Sequence, residues 1–379
     1  MDFGFSEQQE ILRRSARQFL ERECPLDVVR RQSEDSLGFA SDLWHRMAAL
    51  GWMGLALPEA YGGSGLSFVD LTILLEEMGR VLLPAPFFAS VVLGALTVLE
   101  AGSEAQKQQF LPRLASGELK MSLAVLEADG RYDPRGIQLR AGIRGNRAVL
   151  NGTKLFVVDA HVADVVVCVA RTRGGRDPEA GISLFLVDMH APGVTCTVLN
   201  SLDQTQRLCE VSFDRVSLSL DHMLGERDTA WPVLQCALDK ATVALCAEMV
   251  GGAEKAMEMC NDYAKTRVQF GRQIGSFQAV KHKIADMKVL VENAKSVVYY
   301  AAWAADAAAP EAARAASMAK AYCSDVYTRI TADGIQVHGG IGFTWDHHLH
   351  LYFKRAKSSA VLLGDTAWHR ERTAKLIPL

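Results

Sequence analysis

The spacing of apolar residues along the chain changes period twice. In the first 118 residues the pattern is helical and interrupted by turns: Ser6 and Gln9 form a capping box ahead of Ile11, Leu12, Ala16, Phe19 and Leu20, and Ser103 with Gln106 opens another helix in the same way. Leu43, Met47 and Leu50 mark a helix that Gly51 ends, and Leu57-Pro58-Glu59-Ala60-Tyr61-Gly62-Gly63-Ser64-Gly65 reads as a punctuated loop. From about Lys120 to Glu226 the period falls to two. Ile137, Leu139 and Ala141 alternate with polar neighbours, Gly145-Asn146 and Asn151-Gly152 predict tight turns, and Val165 to Ala170 and Ile182 to Val187 are short apolar runs. With no long helices interleaved, this middle segment predicts a barrel or sandwich.

After about Thr229 the helical period returns in longer elements. Val243, Cys246, Val250, Ala253, Met257 and Cys260 form one seam, and Val280, Ile284, Met287, Val291, Ala294 and Val298 a second. An alanine-rich stretch from Pro310 to about Val337 carries Met318, Tyr322, Val326 and Ile330 on one side, and a last helix starts near Asp365. The expected fold is therefore α+β and multidomain: an amino-terminal all-α domain (1–118), a middle β-barrel (119–228) and a carboxyl-terminal four-helix bundle (229–379).

Composition narrows the choice of partners. The chain has 379 residues, 49% of them hydrophobic, and a formal net charge of -3 with both signs dispersed. No basic stripe is present for nucleic acid and no polybasic tail for a membrane. No apolar run approaches the roughly 20 residues that cross a bilayer, and the first residues lack the order of a signal peptide, so a cytoplasmic location is expected. The eight cysteines are far apart, which argues against a zinc or disulfide framework. Asp346-His347-His348-Leu349-His350 reads as a solvated turn, and no metal is expected.

Three runs carry the chemistry: Tyr263-Ala264-Lys265-Thr266-Arg267-Val268-Gln269-Phe270-Gly271, then Phe277-Gln278, then Gln336-Val337-His338-Gly339-Gly340-Ile341-Gly342-Phe343. A dinucleotide diphosphate calls for a fixed cation and for backbone it can approach closely. Arg267 supplies a planar donor fork, and Gly339 and Gly340 remove obstructing side chains. Together with Pro58 to Gly63 and Asn151 to Lys154, these runs resemble the acyl-CoA dehydrogenase family over almost the whole chain. The resemblance implies FAD as cofactor, held by Arg267, Gln269, Phe270, Gln278, Gln336, Gly339, Gly340 and Thr366. It further implies an acyl-CoA substrate dehydrogenated between its α and β carbons, a tetramer with itself or a related subunit, and an electron-transfer flavoprotein as electron acceptor.

Several positions depart from the family's pattern. The base is usually a glutamate in a Glu-Gly-Thr segment, whereas this chain reads Leu363-Gly364-Asp365-Thr366, which leaves Asp365 as the candidate base or as a helix N-cap. A second base location used by some members matches Ala241, and Glu248 two turns later points away from the seam. A flavin-lining Thr-Glu-Pro-Gly loop corresponds to Leu126-Glu127-Ala128-Asp129-Gly130-Arg131-Tyr132-Asp133, and a Trp-Ile-Thr segment to Phe156-Val157-Val158, where Val158 has no donor to offer. In the family the middle domain serves the subunit's own flavin, whereas the arginine and Gln-x-x-Gly-Gly contacts reach a neighbour's. Three readings follow: a subunit of a heteromeric dehydrogenase, a silent structural subunit that completes a partner's site, or a self-sufficient homotetramer using Asp365.

Overall fold

The computed structural model describes residues 4–377. Six helices come first: α1 (Glu7–Glu23), α2 (Leu26–Glu34), α3 (Ser41–Ala49), α4 (Phe68–Arg80), α5 (Leu96–Ala101) and α6 (Glu104–Ala115). Eight strands follow: β1 (Met121–Ala124), β2 (Arg140–Arg144), β3 (Arg147–Val158), β4 (Val165–Arg171), β5 (Ile182–Asp188), β6 (Val194–Val198), β7 (Leu208–Ser219) and β8 (Met223–Leu224). The remainder is α7 (Trp231–Thr266), a small hairpin β9 (Val268–Gln269) and β10 (Arg272–Gln273), then α8 (Gln278–Asp306), α9 (Ala312–His338), α10 (Leu349–Val361) and α11 (Thr366–Lys375). Both sequence-predicted capping boxes form, at Ser6 with Gln9 and at Ser103 with Gln106. No helix among the described residues is long and apolar enough to cross a membrane.

The elements gather into two compact units. The first takes residues 1–31, 67–83 and 242–379, and the second residues 32–66 and 84–241. In the second unit the strands form an eight-stranded sheet of order β6-β7-β3-β2-β4-β5-β8, with β1 parallel to β4. Alternating residues of β2, β3, β4, β5 and β7 fill its core, among them Leu150, Val166, Phe185, Val211 and Phe213. Gly145-Asn146 is the two-residue turn joining β2 to β3, as expected. Asn151-Gly152 is not a turn. Strand β3 runs straight through it, and the glycine shows as a shift of register against β7 and a positive φ of 142°.

In the first unit the bundle is built on the two predicted seams. Val243, Cys246, Val250, Ala253, Met257 and Cys260 are buried on α7, as are Met287, Val291, Ala294 and Val298 on α8, whereas Val280 and Ile284 near the start of α8 are only half-buried. The face of α9 is as expected at Val326 and Ile330, which are buried, and departs from expectation nearer its start: Met318 is exposed and Tyr322 half-buried, while Ala315, Ala319 and Cys323 are covered, because the small alanines let neighbouring helices approach. Helices α4 and α7 touch backbone to backbone: a Cβ on Gly251 would lie 1.8 Å from the Glu76 carbonyl oxygen. Beside that contact lies a buried ion network, in which Arg80 donates to Glu254 (2.9 Å) and Glu258 (2.7 Å), and Lys295 donates to Glu254 (2.6 Å).

Helix α10 is an addition to the four helices read from the sequence. It begins beside the histidine tract, so His350 is buried at its first turn and His348 reaches Asp27 at 3.2 Å. The tract is therefore packed rather than a solvated turn.

Candidate functional site

One end of the bundle brings together most of the residues singled out in the sequence. Helix α7 ends at Thr266, and Arg267 follows, its N–H still bonded to the Tyr263 carbonyl. The chain then makes the β9–β10 hairpin through Phe270 (φ 52°) and Gly271 (φ 78°), two left-handed residues that suit a tight two-residue turn. Phe270 is left 92% exposed at its tip. Gln278 opens α8, which pairs with the end of α9 through Lys283 and Asp333 (2.5 Å), so Gln336, Gly339 and Gly340 arrive at the same end. Tyr263 stacks on His338 at 4.4 Å between ring centres and ties the end of α7 to the end of α9.

The chemistry of this end is that of an open donor surface. Arg267, Gln269, Gln278 and Gln336 are exposed. Gly339 adopts φ 64° and ψ -140°, a conformation essentially restricted to glycine, and a Cβ built there would meet nothing within 4 Å. A ligand can therefore approach the backbone from outside. His338 Nδ1 donates to the Gly334 carbonyl (2.9 Å), because a carbonyl can only accept, and burial pushes the ring's pKa down. Tyr263 and His338 both lie inside the recognised runs, but residue type alone assigns neither a role.

Asp365 and Thr366 lie elsewhere. Thr366 Oγ1 donates to Asp325 Oδ1 (3.0 Å), and along α9 the path from Asp325 to His338 is about 20 Å at 1.5 Å per residue. The turn before α11 holds two left-handed residues, Leu363 (φ 59°) and Gly364 (φ 103°). Asp365 is the N-cap: its carboxylate accepts from the Trp368 N–H at 2.8 Å and is otherwise exposed. Two buried side chains hold the turn from inside. His369 Nε2 donates to the Leu363 carbonyl (2.9 Å), with burial pushing its pKa down to about 3. Lys320 on α9 donates to the Gly364 carbonyl (2.8 Å), with burial lowering it to about 8. Lys320 was assigned no role from the sequence; its only signal there is a charged residue interrupting an alanine-rich apolar stretch.

In the other unit, the segment Leu126 to Asp133 has its own anchor. Glu127 accepts from Lys154 Nζ (2.7 Å) and from the N–H groups of Gln138 and Leu139 (2.9 Å each), while Lys154 is fully buried and also donates to the Val125 carbonyl. Ala128 to Arg131 are exposed. Phe156 is 46% exposed in a left-handed conformation (φ 56°), and Val158 is buried. Ala241, at the alternative base location, is buried and has no carboxylate to offer.

Three family profiles match the chain in order: "Acyl-CoA dehydrogenase, N-terminal domain" over residues 6–118, "middle domain" over 122–216 and "C-terminal domain" over 230–377. Among curated relatives, "Probable acyl-CoA dehydrogenase YngJ" of Bacillus subtilis is 31% identical over 98% of each chain. Among solved structures, the butyryl-CoA dehydrogenase of Megasphaera elsdenii is similar with a TM-score of 0.93 at 27% identity over 99% of each chain. A chain of the ChsE4-ChsE5 complex from Mycobacterium tuberculosis is similar with a TM-score of 0.91 at 26% identity over the full length of both.

Proposed function

The chain belongs to the acyl-CoA dehydrogenase family, FAD-dependent oxidoreductases acting on CH–CH bonds, and from that premise we propose that it works as one subunit of a heteromeric complex whose unlike subunit supplies the base. The observation that carries this reading is the turn before α11. The position of the usual base is Gly364, the alternative position is Ala241, and the adjacent carboxylate, Asp365, is engaged in capping a helix.

The residues at the bundle end fit FAD. An exposed guanidinium at Arg267, amides at Gln278 and Gln336, and an unobstructed glycine backbone at Gly339 are what a diphosphate and an adenine require. When bound, the flavin would accept the β-hydride of an acyl-CoA. This chain's contribution is then binding: Arg267 neutralises phosphate charge, Gln278 and Gln336 orient polar edges, and Gly339 and Gly340 allow close approach. On the ring side, Val158 replaces a hydroxyl donor with an apolar group. The loss of that bond is worth roughly 1–3 kcal/mol where the partner is buried, which favours a chain that serves a neighbouring subunit's cofactor over one that completes its own site. The similarity to a chain of a two-component complex supports the same reading. An electron-transfer flavoprotein is the electron acceptor that the family implies.

The test is flavin stoichiometry together with two substitutions. The pure chain should carry almost no FAD, and the complex with its unlike partner about half a flavin per chain. Arg267→Ala should strip the complex of flavin, whereas Asp365→Ala should leave its turnover unchanged. Full flavin and turnover in the chain alone would refute the proposal. The exposed position of Asp365, next to Gly364, favours one rival, a homotetramer with Asp365 as base. That rival requires Asp365→Ala to lower turnover by several orders of magnitude.

A further inference from the structure

Strands β6 and β7 bring together two thiols that the sequence keeps apart. The strands pair antiparallel, with Cys196 opposite Val211 and Val198 opposite Cys209. Opposed residues share a face of the sheet, as do residues two apart on one strand, so Cys196 and Cys209 are diagonal neighbours on one face. Cys209 is buried in the β core, Cys196 packs half-buried against it, and the two thiols share a hydrogen bond. A histidine completes the group. His161 Nε2 lies 3.0 Å from the Leu37 carbonyl, and because a carbonyl only accepts, Nε2 carries the ring hydrogen and Nδ1 keeps its lone pair. That lone pair is 3.9 Å from Cys209 Sγ. Burial, helped by the Arg207 guanidinium, lowers the pKa of the ring and so favours the neutral imidazole.

The two thiols are not equivalent. The hydrogen bond from Cys209 draws the pKa of Cys196 below its ordinary value, while the same bond and burial push that of Cys209 up. The sulfur that solvent reaches is therefore the one that ionises, and the covered one holds its proton. The other six cysteines lack this combination. Burial pushes Cys24, Cys168 and Cys260 to about 12. Cys246 and Cys323 share a hydrogen bond but are only 0% and 1% exposed, and Cys236 is exposed among Glu100, Asp239 and Lys240 rather than beside a thiol.

We propose that Cys196 and Cys209 are a peroxide-responsive dithiol: Cys196 attacks hydrogen peroxide, Cys209 resolves the product to a disulfide, and His161 Nδ1 takes the Cys209 proton. In the first step the Cys196 thiolate forms an S–O bond as the O–O bond breaks; sulfur is oxidised to sulfenic acid, and the departing hydroxide takes up a proton and leaves as water. In the second, Cys209 gives its proton to Nδ1 and its sulfur attacks that of Cys196. The S–S bond forms, the S–O bond breaks, and the leaving hydroxide collects the proton from His161 as a second water. Diagonal neighbours stand further apart than opposed ones, so the bond draws β6 along β7. Strand β6 can follow because it is an edge strand, held by β7 alone.

The experiment treats the reduced full chain with an equal concentration of hydrogen peroxide, then counts thiols under denaturing conditions and maps linkages by peptide mass spectrometry. Cys196 and Cys209 should both be lost, appear as one cross-linked peptide, and return on addition of dithiothreitol. Cys209→Ser should stop at the Cys196 sulfenic acid, trapped by dimedone, and Cys196→Ser should leave Cys209 unoxidised. His161→Gln keeps a donor for the Leu37 carbonyl but no base, and should slow disulfide formation by about tenfold or more while the peroxide step keeps its rate. Oxidation spread over several cysteines, or Cys196 passing to sulfinic acid in the wild type with no link to Cys209, would overturn the proposal. So would a folded chain that keeps all its thiols at a peroxide concentration that oxidises the chain in urea. An unchanged rate in His161→Gln would overturn the histidine's part. The wild-type map needs no variant, so the dithiol is tested even where a substitution prevents folding.

Discussion

Replacing Gly364 by alanine should cost far more than a surface Gly→Ala change. At φ 103° the backbone is in a region that an L side chain rarely adopts, and the added Cβ would lie 2.8 Å from Trp368 Cε3 and 2.9 Å from His369 Nε2. The conformational strain alone is about 1–2 kcal/mol. His369 cannot give way freely, because it is 1% exposed and its ring nitrogen holds the Leu363 carbonyl. Pushing it aside adds overpacking strain of about 1–3 kcal/mol, so the total is about 2–5 kcal/mol. The control is Gly271→Ala, in the same unit and also at positive φ (78°), where a Cβ meets nothing within 4 Å and only the conformational part applies. Urea unfolding followed by circular dichroism gives both values. If the two variants lose stability equally, the packing argument fails. The same geometry implies that Gly364→Glu will not create a working base without disturbing the turn.

Other consequences are as direct. His369 is held neutral by burial, with its pKa near 3. The unfolded chain therefore takes up a proton that the folded chain refuses as pH falls below 6.5, and stability should fall from there towards pH 3 by on the order of 5 kcal/mol. The difference between wild type and His369→Gln in a pH series of unfolding curves isolates this contribution, and parallel curves would refute it. Lys154→Met leaves Glu127 without its buried cation and should destabilise by about 3 kcal/mol, measurable by calorimetry, with part recovered when Glu127 is replaced as well. Asp365→Ala removes a helix N-cap and should cost about 1 kcal/mol in thermal unfolding.

Much of the fold is legible in the sequence because its causes are local. The two capping boxes need only a hydroxyl and an amide three residues apart, and the seams of α7 and α8 need only the helical period. Asn151-Gly152 shows where local signals stop. The pair favours a turn by itself, yet pairing with β7 on one side of β3 keeps the strand extended and absorbs the glycine as a bulge. On α9 Val326 and Ile330 are buried as expected, but the exposed Met318 and the buried Ala315 and Ala319 shift the covered stripe at the helix's start, since the partner helices decide which residues are covered.

The candidate site divides in the same way. The residue types at Arg267, Gln278, Gln336, Gly339 and Gly340 are determined by the sequence, and with them the family and its cofactor. That these residues share one end of the bundle, and that Asp365 and Thr366 lie about 20 Å away along α9, depends on how α7, α8 and α9 pack. Lys320 is the clearest case of what only the tertiary structure decided. Two of its acceptors lie 40 and 44 residues further along the chain, a separation at which periodicity and propensity carry no information. The ammonium acquires its meaning only when α9 is folded against the α10–α11 turn.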